Sequence, residues 1–182
     1  MDLTETPVHS TPVYDGALLH VRRDTVRLPN GHESVREWID HPGASAVVPL
    51  FEDGSTVLVR QFRYPPRREF LEVPAGKFDH PGEDPVDLAR RELGEEVGLA
   101  AERWTPLGVT YPGIGYSNEV IHLFLAEGLT DVGADADDDE FVVPVRMPLA
   151  VAVEQARRGR ISDAKSTVAL LLAYAEIERR EG

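Results

Sequence analysis

The strongest constraint on the fold is a helix bounded by Pro81-Gly82 and Gly98. Val86, Ala89, Leu93 and Val97 recur at spacings of three and four, so they form one apolar stripe that needs a core to receive it. Gly98 ends the helix, since glycine is favoured just past a helix C-terminus. The same helix carries Glu92 and Glu96 one turn apart, with Glu95 beside them. Like charges at this spacing cost roughly a few tenths of a kcal/mol per pair and sit badly near the negative end of the helix. A positive group is needed to neutralise them. Arg91 can reach Asp87 or Glu95, but one guanidinium cannot balance all of these acids. A hard divalent cation can, and Arg91 then orients a carboxylate through paired hydrogen bonds.

Oxygen-only ligands suit magnesium or manganese. Zero cysteines and no paired-histidine helix argue against a dedicated zinc site. The alternative is a solvated acidic face, which charged helices often present. The punctuation around the acids favours a site: Gly76, Glu83, Arg91 and Gly98 mark a strand end, a loop of close approach and a helix, in that order.

Around this helix the pattern is of strands. Alternating stretches at 18–28 and 32–39 flank Pro29-Asn30-Gly31, a hairpin signal, so residues 1–43 read as a small antiparallel sheet. A second hairpin is expected from 45–51 and 56–63 across Glu52-Asp53-Gly54-Ser55, followed by a strand at 69–73. Later strands are expected at 104–110, 119–126 and 141–145, with helices at 149–157 and 163–181. This order predicts an α+β fold, a mixed sheet with helices packed on it.

The 182 residues fit one ordinary domain with a small appendage. The 32 acidic and 19 basic residues give a net charge of −13, which argues against attraction to nucleic acid or anionic membranes. No run approaches the ~20 apolar residues that span a bilayer. The N-terminus lacks the basic and apolar regions of a secretory signal, so a cytoplasmic protein is expected. Lys77 and Lys165 are the only lysines, a balance open to either a salt-rich cytoplasm or a GC-rich genome.

From Glu83 to Leu99 the sequence resembles the Nudix hydrolase signature at every defined position: Glu83, then Arg91-Glu92, Leu93, Glu95-Glu96, Gly98 and Leu99. Upstream it departs, because six residues rather than five separate Gly76 from Glu83. The resemblance implies an α/β/α Nudix sandwich over residues 44–182, with the β extension of 1–43 preceding it. It implies that Glu92, Glu96, Glu95 and the Ala75 carbonyl hold the metal, magnesium or alternatively manganese. Glu83 would pair with Arg91 and hold the loop against the helix. The reaction implied is pyrophosphate hydrolysis by water, without a covalent enzyme intermediate.

Val59-Arg60-Gln61-Phe62-Arg63, Glu72-Val73-Pro74-Ala75-Gly76 and Tyr111-Pro112-Gly113 with Glu119 are similar to the branch acting on ADP-ribose and nucleoside diphosphate sugars. ADP-ribose is the expected substrate, with GDP-mannose or a non-catalytic nucleotide sensor as alternatives. Pro112, Gly113 and Glu119 are candidate substrate contacts. Arg63, and with it Arg60, would bind a phosphate or the terminal ribose, or else form surface salt bridges. Trp38 would stack on the base or pack against Val35 or Ile39. The branch also implies a homodimer through the N-terminal strands, in which partner residues complete the nucleotide site. Within the acidic run 131–140, the resemblance points to Glu140 as general base, with Asp139 second, where a solvated loop is the alternative.

Overall fold

The computed structural model describes residues 2–80, 82–133 and 141–182. The Cα packing divides the chain into two compact units, Met1–Gly43 with Gly113–Glu119, and Ala44–Pro112 with Val120–Gly182.

The first unit is a three-stranded antiparallel sheet of β1 (Thr6–Asp15), β2 (His20–Arg27) and β3 (Glu33–Asp40), in that order. The Asn-Gly hairpin joins β2 to β3: Gly31 takes φ 86°, Gly31 N–H donates to the Leu28 carbonyl, and Asn30 Oδ1 accepts from His32 N–H. Strand β1 has no alternating pattern of its own. Pro7 and Pro12 interrupt it, and the register with β2 shifts beside each. Proline is tolerated there because β1 lies at the sheet edge. The segment 113–119 joins this unit through the Ile39 N–H bond to the Tyr116 carbonyl.

The second unit is built on a seven-stranded mixed sheet. Its members are β4 (Ala44–Leu50), β5 (Ser55–Arg63), β6 (Arg68–Glu72), β7 (Ala75–Lys77), β8 (Leu99–Thr110), β9 (Ile121–Asp131) and β10 (Val143–Pro148). The order is β10-β5-β4-β9-β8, with β6 paired to β5 and β7 to β4. Among the described strands of this sheet, only β4 and β9 run parallel to each other. Helix α1 (Pro85–Val97) covers one face, and α2 (Leu149–Arg157) with α3 (Ala164–Glu181) the other. Strand pleating explains the two cores: Val47 and Val57 pack with Ala89 and Leu93 of α1, while Ala46, Val48 and Leu58 pack with Ala152 of α2 and Leu170 of α3. This is the expected α/β/α sandwich.

Several boundaries differ from the sequence reading. The expected hairpin of β4 with β5 holds only at Leu50↔Thr56. Beyond it the strands diverge, because β4 pairs with β7 and β9 while β5 pairs with β6 and β10. Strand β8 begins at Leu99 rather than 104, since Gly98 in the left-handed region (φ 68°) turns the chain straight from helix into strand. Strand β10 starts and ends later than expected, carrying Pro144 and Pro148 at the edge of the sheet. The three-residue β7 is too short for any periodicity to reveal.

Candidate functional site

The site is built where β7 meets α1. Asp84 caps the helix by accepting from Val86 N–H, Pro85 occupies its first turn, and Ser45 Oγ on β4 donates to the Pro85 carbonyl (2.7 Å). The neighbouring strand is fixed to β4 by pairs Ala46↔Ala75 and Ser45↔Gly76, with Val47 N–H donating to the Pro74 carbonyl. Loop and helix then meet directly. Ala75 N–H donates to Glu96 Oε2 at 3.0 Å, and an atom added at the Cβ position of Gly76 would fall 2.0 Å from Glu92 Oε1. The extra residue between Gly76 and Glu83 therefore leaves the contact of strand and helix intact.

Glu92 and Glu96 are buried, at 8% and 4% exposure, whereas the Glu95 side chain is partly open. Arg91 lies among the acids. Its Nη1 is 3.1 Å from Glu92 Oε1 and donates to Glu95 Oε2 at 3.2 Å, and its Nε is 3.8 Å from Glu83 Oε1. Its Nη2 is 2.9 Å from Asp79 Oδ2 but is not aligned for a hydrogen bond. Burial opposes the charge of Arg91, yet Glu92, Glu95, Asp79 and Glu83 outweigh it and raise its pKa. Asp87, expected within its reach, instead pairs with Arg90. Asp79 takes that place from the loop, a partner missed because a loop acid has no periodicity.

The oxygen-rich chemistry of the site suits a hard divalent cation: four carboxylates, of Asp79, Glu83, Glu92 and Glu95, face one guanidinium, and Glu83 Oε2 is buried with no hydrogen-bond partner among the described residues. Buried polar atoms are ordinarily paired, so such an orphan marks a place for a further polar partner. In the arrangement seen, no three Asp, Glu or His side chains among the described residues are gathered closely enough to hold a metal ion.

Of the other candidates, Arg63 donates from Nε and Nη2 to Glu72 at 2.8 Å each, and its side chain stays 44% exposed. Arg60 pairs with Glu69 at 2.9 Å on the surface. Arg60 makes the surface ion pair that was the alternative reading, whereas Arg63 pairs with a buried carboxylate. In the first unit, Trp38 Nε1 donates to Asp24 Oδ2 (2.8 Å), and Glu119 Oε1 lies 3.9 Å from His41 Nε2. The Gly113 carbonyl accepts from Tyr116 and Ser117 N–H, and Pro112 ends the preceding segment of the second unit. Glu140 and Asp139 lie outside the described residues.

The chain is similar to known families and proteins over most of its length. Residues 40–170 match the NUDIX domain, and residues 5–39 match the nucleoside diphosphate sugar hydrolase N-terminal domain. The chain is 36% identical over 170 residues to the ADP-ribose pyrophosphatase of Bacillus subtilis, covering 92% of this chain and 91% of that protein. It is 33% identical over 156 residues to a GDP-mannose pyrophosphatase of Yersinia enterocolitica, covering 80% and 79%. A crystal structure of an ADP compounds hydrolase superposes with a TM-score of 0.85 at 25% identity, covering 99% of this chain and 98% of that one.

Proposed function

This chain belongs to the Nudix hydrolase family, and from that premise we propose that it cleaves the pyrophosphate bond of ADP-ribose to AMP and ribose 5-phosphate in a metal-dependent reaction. The observation that carries the reading is the junction of β7 and α1, where Ala75 meets Glu96 and Gly76 makes room for Glu92. Glu92, Glu95, Glu96 and the Ala75 carbonyl are the proposed ligands of magnesium, with manganese as the alternative ion. Such an ion, when bound, neutralises pyrophosphate oxygens and lowers the pKa of a water.

The residues of the chain position the rest. Arg91, held by Glu83 and Asp79, keeps the loop on the helix when the other carboxylates turn to a cation. Glu140 is the proposed general base, with Asp139 as its alternate. Arg63, Arg60 and Pro112 in the second unit, and Trp38, Gly113 and Glu119 in the first, are the proposed substrate contacts. Arg63 would use the guanidinium edge that Glu72 leaves open.

We further propose a homodimer through the N-terminal strands and a cytoplasmic location, with neither nucleic acid nor membrane as partner. No helix among the described residues is long and apolar enough to cross a membrane.

Incubation with magnesium and ADP-ribose should release AMP, and chelation should stop it. Tight binding without AMP would favour a nucleotide sensor instead. A second substrate reading, GDP-mannose, is favoured by the similarity to a GDP-mannose pyrophosphatase. Ranking nucleotide sugars and dinucleotides by kcat/KM decides between them.

A further inference from the structure

We propose that the first turn of α3 is a positioning clamp for the metal-binding loop, with Lys165 at its centre; this rests on the reading of Glu92 and Glu96 as metal ligands. The clamp starts from Glu72, the last residue of β6, which is 2% exposed. Two cations hold it. Arg63 takes both carboxylate oxygens, and Lys165 Nζ contacts Oε2 from α3. Lys165 Nζ also lies 3.0 Å from Asp163 Oδ2. Asp163 in turn is the N-cap of α3, accepting from the backbone N–H of Ser166 at 3.0 Å and from its hydroxyl. Ser166 Oγ accepts from Val73 N–H at 2.9 Å.

One helical turn therefore holds two successive residues, Glu72 by charge and Val73 by its backbone. Little slack remains before the site. Pro74 follows with its φ fixed by the ring and its carbonyl bonded to Val47 N–H, and the next N–H, that of Ala75, is already on Glu96. A shift of Glu72 is transmitted to Ala75 and Gly76, and through them to the carboxylates of α1.

The choice of lysine is informative in a chain whose other basic side chains, Lys77 and the histidines apart, are arginine. Oε2 of Glu72 already accepts from the planar fork of Arg63. A compact ammonium can share that oxygen, where a second planar guanidinium would compete with the first for the carboxylate edge. Lys165 pairs with Glu72 and Asp163, neither of them a proposed ligand, and is a positioning residue rather than a catalytic one. Its role is to orient a shell outside the ligands.

The test measures manganese binding to the substrate-free, full-length protein by electron paramagnetic resonance of the free ion. The variants are Lys165→Met, which removes the charge, and Ser166→Ala, which removes only the Val73 tie. Leu170→Ala, in the core of the same helix, controls for general destabilisation. Circular dichroism fixes a temperature at which the variants assayed are folded, and if Lys165→Met does not fold, Ser166→Ala decides. Both clamp variants are expected to bind manganese about tenfold more weakly, as loss of an outer-shell partner does, while Leu170→Ala binds like the wild type. Clamp variants within about twofold of the wild type, an effect too small for an outer-shell role, would overturn the clamp alone. A wild type that takes up no manganese would overturn the metal reading, and the clamp with it.

Discussion

Glu92 occupies the space that a side chain at Gly76 would need: an added Cβ would lie 2.0 Å from its Oε1 and 2.2 Å from its Cδ. The glycine is required here for close approach rather than for an unusual backbone angle. Gly76→Ala must push β7 away from α1 or turn Glu92 out of the site. The atoms in the way are the far end of a flexible side chain, so turning Glu92 aside costs the fold little. A misplacement near 1 Å at the reacting centre lowers activity about 10²-fold. Steady-state kinetics beside a thermal melt should therefore show activity falling much further than stability. Full activity in Gly76→Ala would mean that Glu92 is not needed where it lies.

Glu140 and Glu95 give the second prediction. A general base contributes about 10²–10⁴-fold, so Glu140→Gln should lower turnover by that range with little change in manganese binding. Glu95→Gln should weaken metal binding as well as turnover. Should Glu140→Gln stay within about twofold while Glu95→Gln abolishes activity, the base is not Glu140.

Why these residues could be named from sequence, and others could not, has a physical basis. The acids of α1 share one helix, so a spacing of four places Glu92 and Glu96 together without any knowledge of the tertiary fold. The apolar stripe of α1 required a core to receive it, whereas the second core, under α2 and α3, was implied by the family resemblance and not by any period. Contacts between distant segments leave no such period. Lys165 reaches Glu72 across 93 residues, and Asp79 approaches Arg91 from a loop. Strand β1 was hidden by Pro7 and Pro12, and the divergence of β4 from β5 depends on which strands arrive later to pair with them.

The N-terminal sheet carries the third prediction. All ten residues of β1 are exposed, Val8, Val13 and Tyr14 among them. A long exposed edge strand with apolar side chains invites pairing with another chain, and Pro7 and Pro12 only limit how far. Sedimentation at micromolar concentration should give about twice the chain mass of 20.1 kDa, as expected for a twofold dimer. Removing residues 2–15 should give the monomer. A full-length chain that sediments as a monomer contradicts the proposed dimer.

The fourth prediction concerns acid. Burial opposes the charge of Glu72, but Arg63 and Lys165 outweigh it and hold its pKa below the ordinary 4.5. A carboxyl whose pKa is lowered by folding stabilises the fold above its unfolded value, and that contribution is lost as the pH falls through the folded value. For Glu72 the loss therefore falls below pH 4.5. Lys165→Met weakens the pairing but leaves Arg63 in place, so at neutral pH it should cost about 2 kcal/mol, the range of one hydrogen bond to a charged group. Once Glu72 is protonated the ammonium keeps its contact with Asp163 but loses the one with a charged Glu72, and the difference between variant and wild type should shrink. Urea titrations of both proteins, from neutral pH to well below 4.5, measure that difference directly. A gap that stays constant over the whole range would show that Lys165 acts through the packing of its apolar stem and not through its charge.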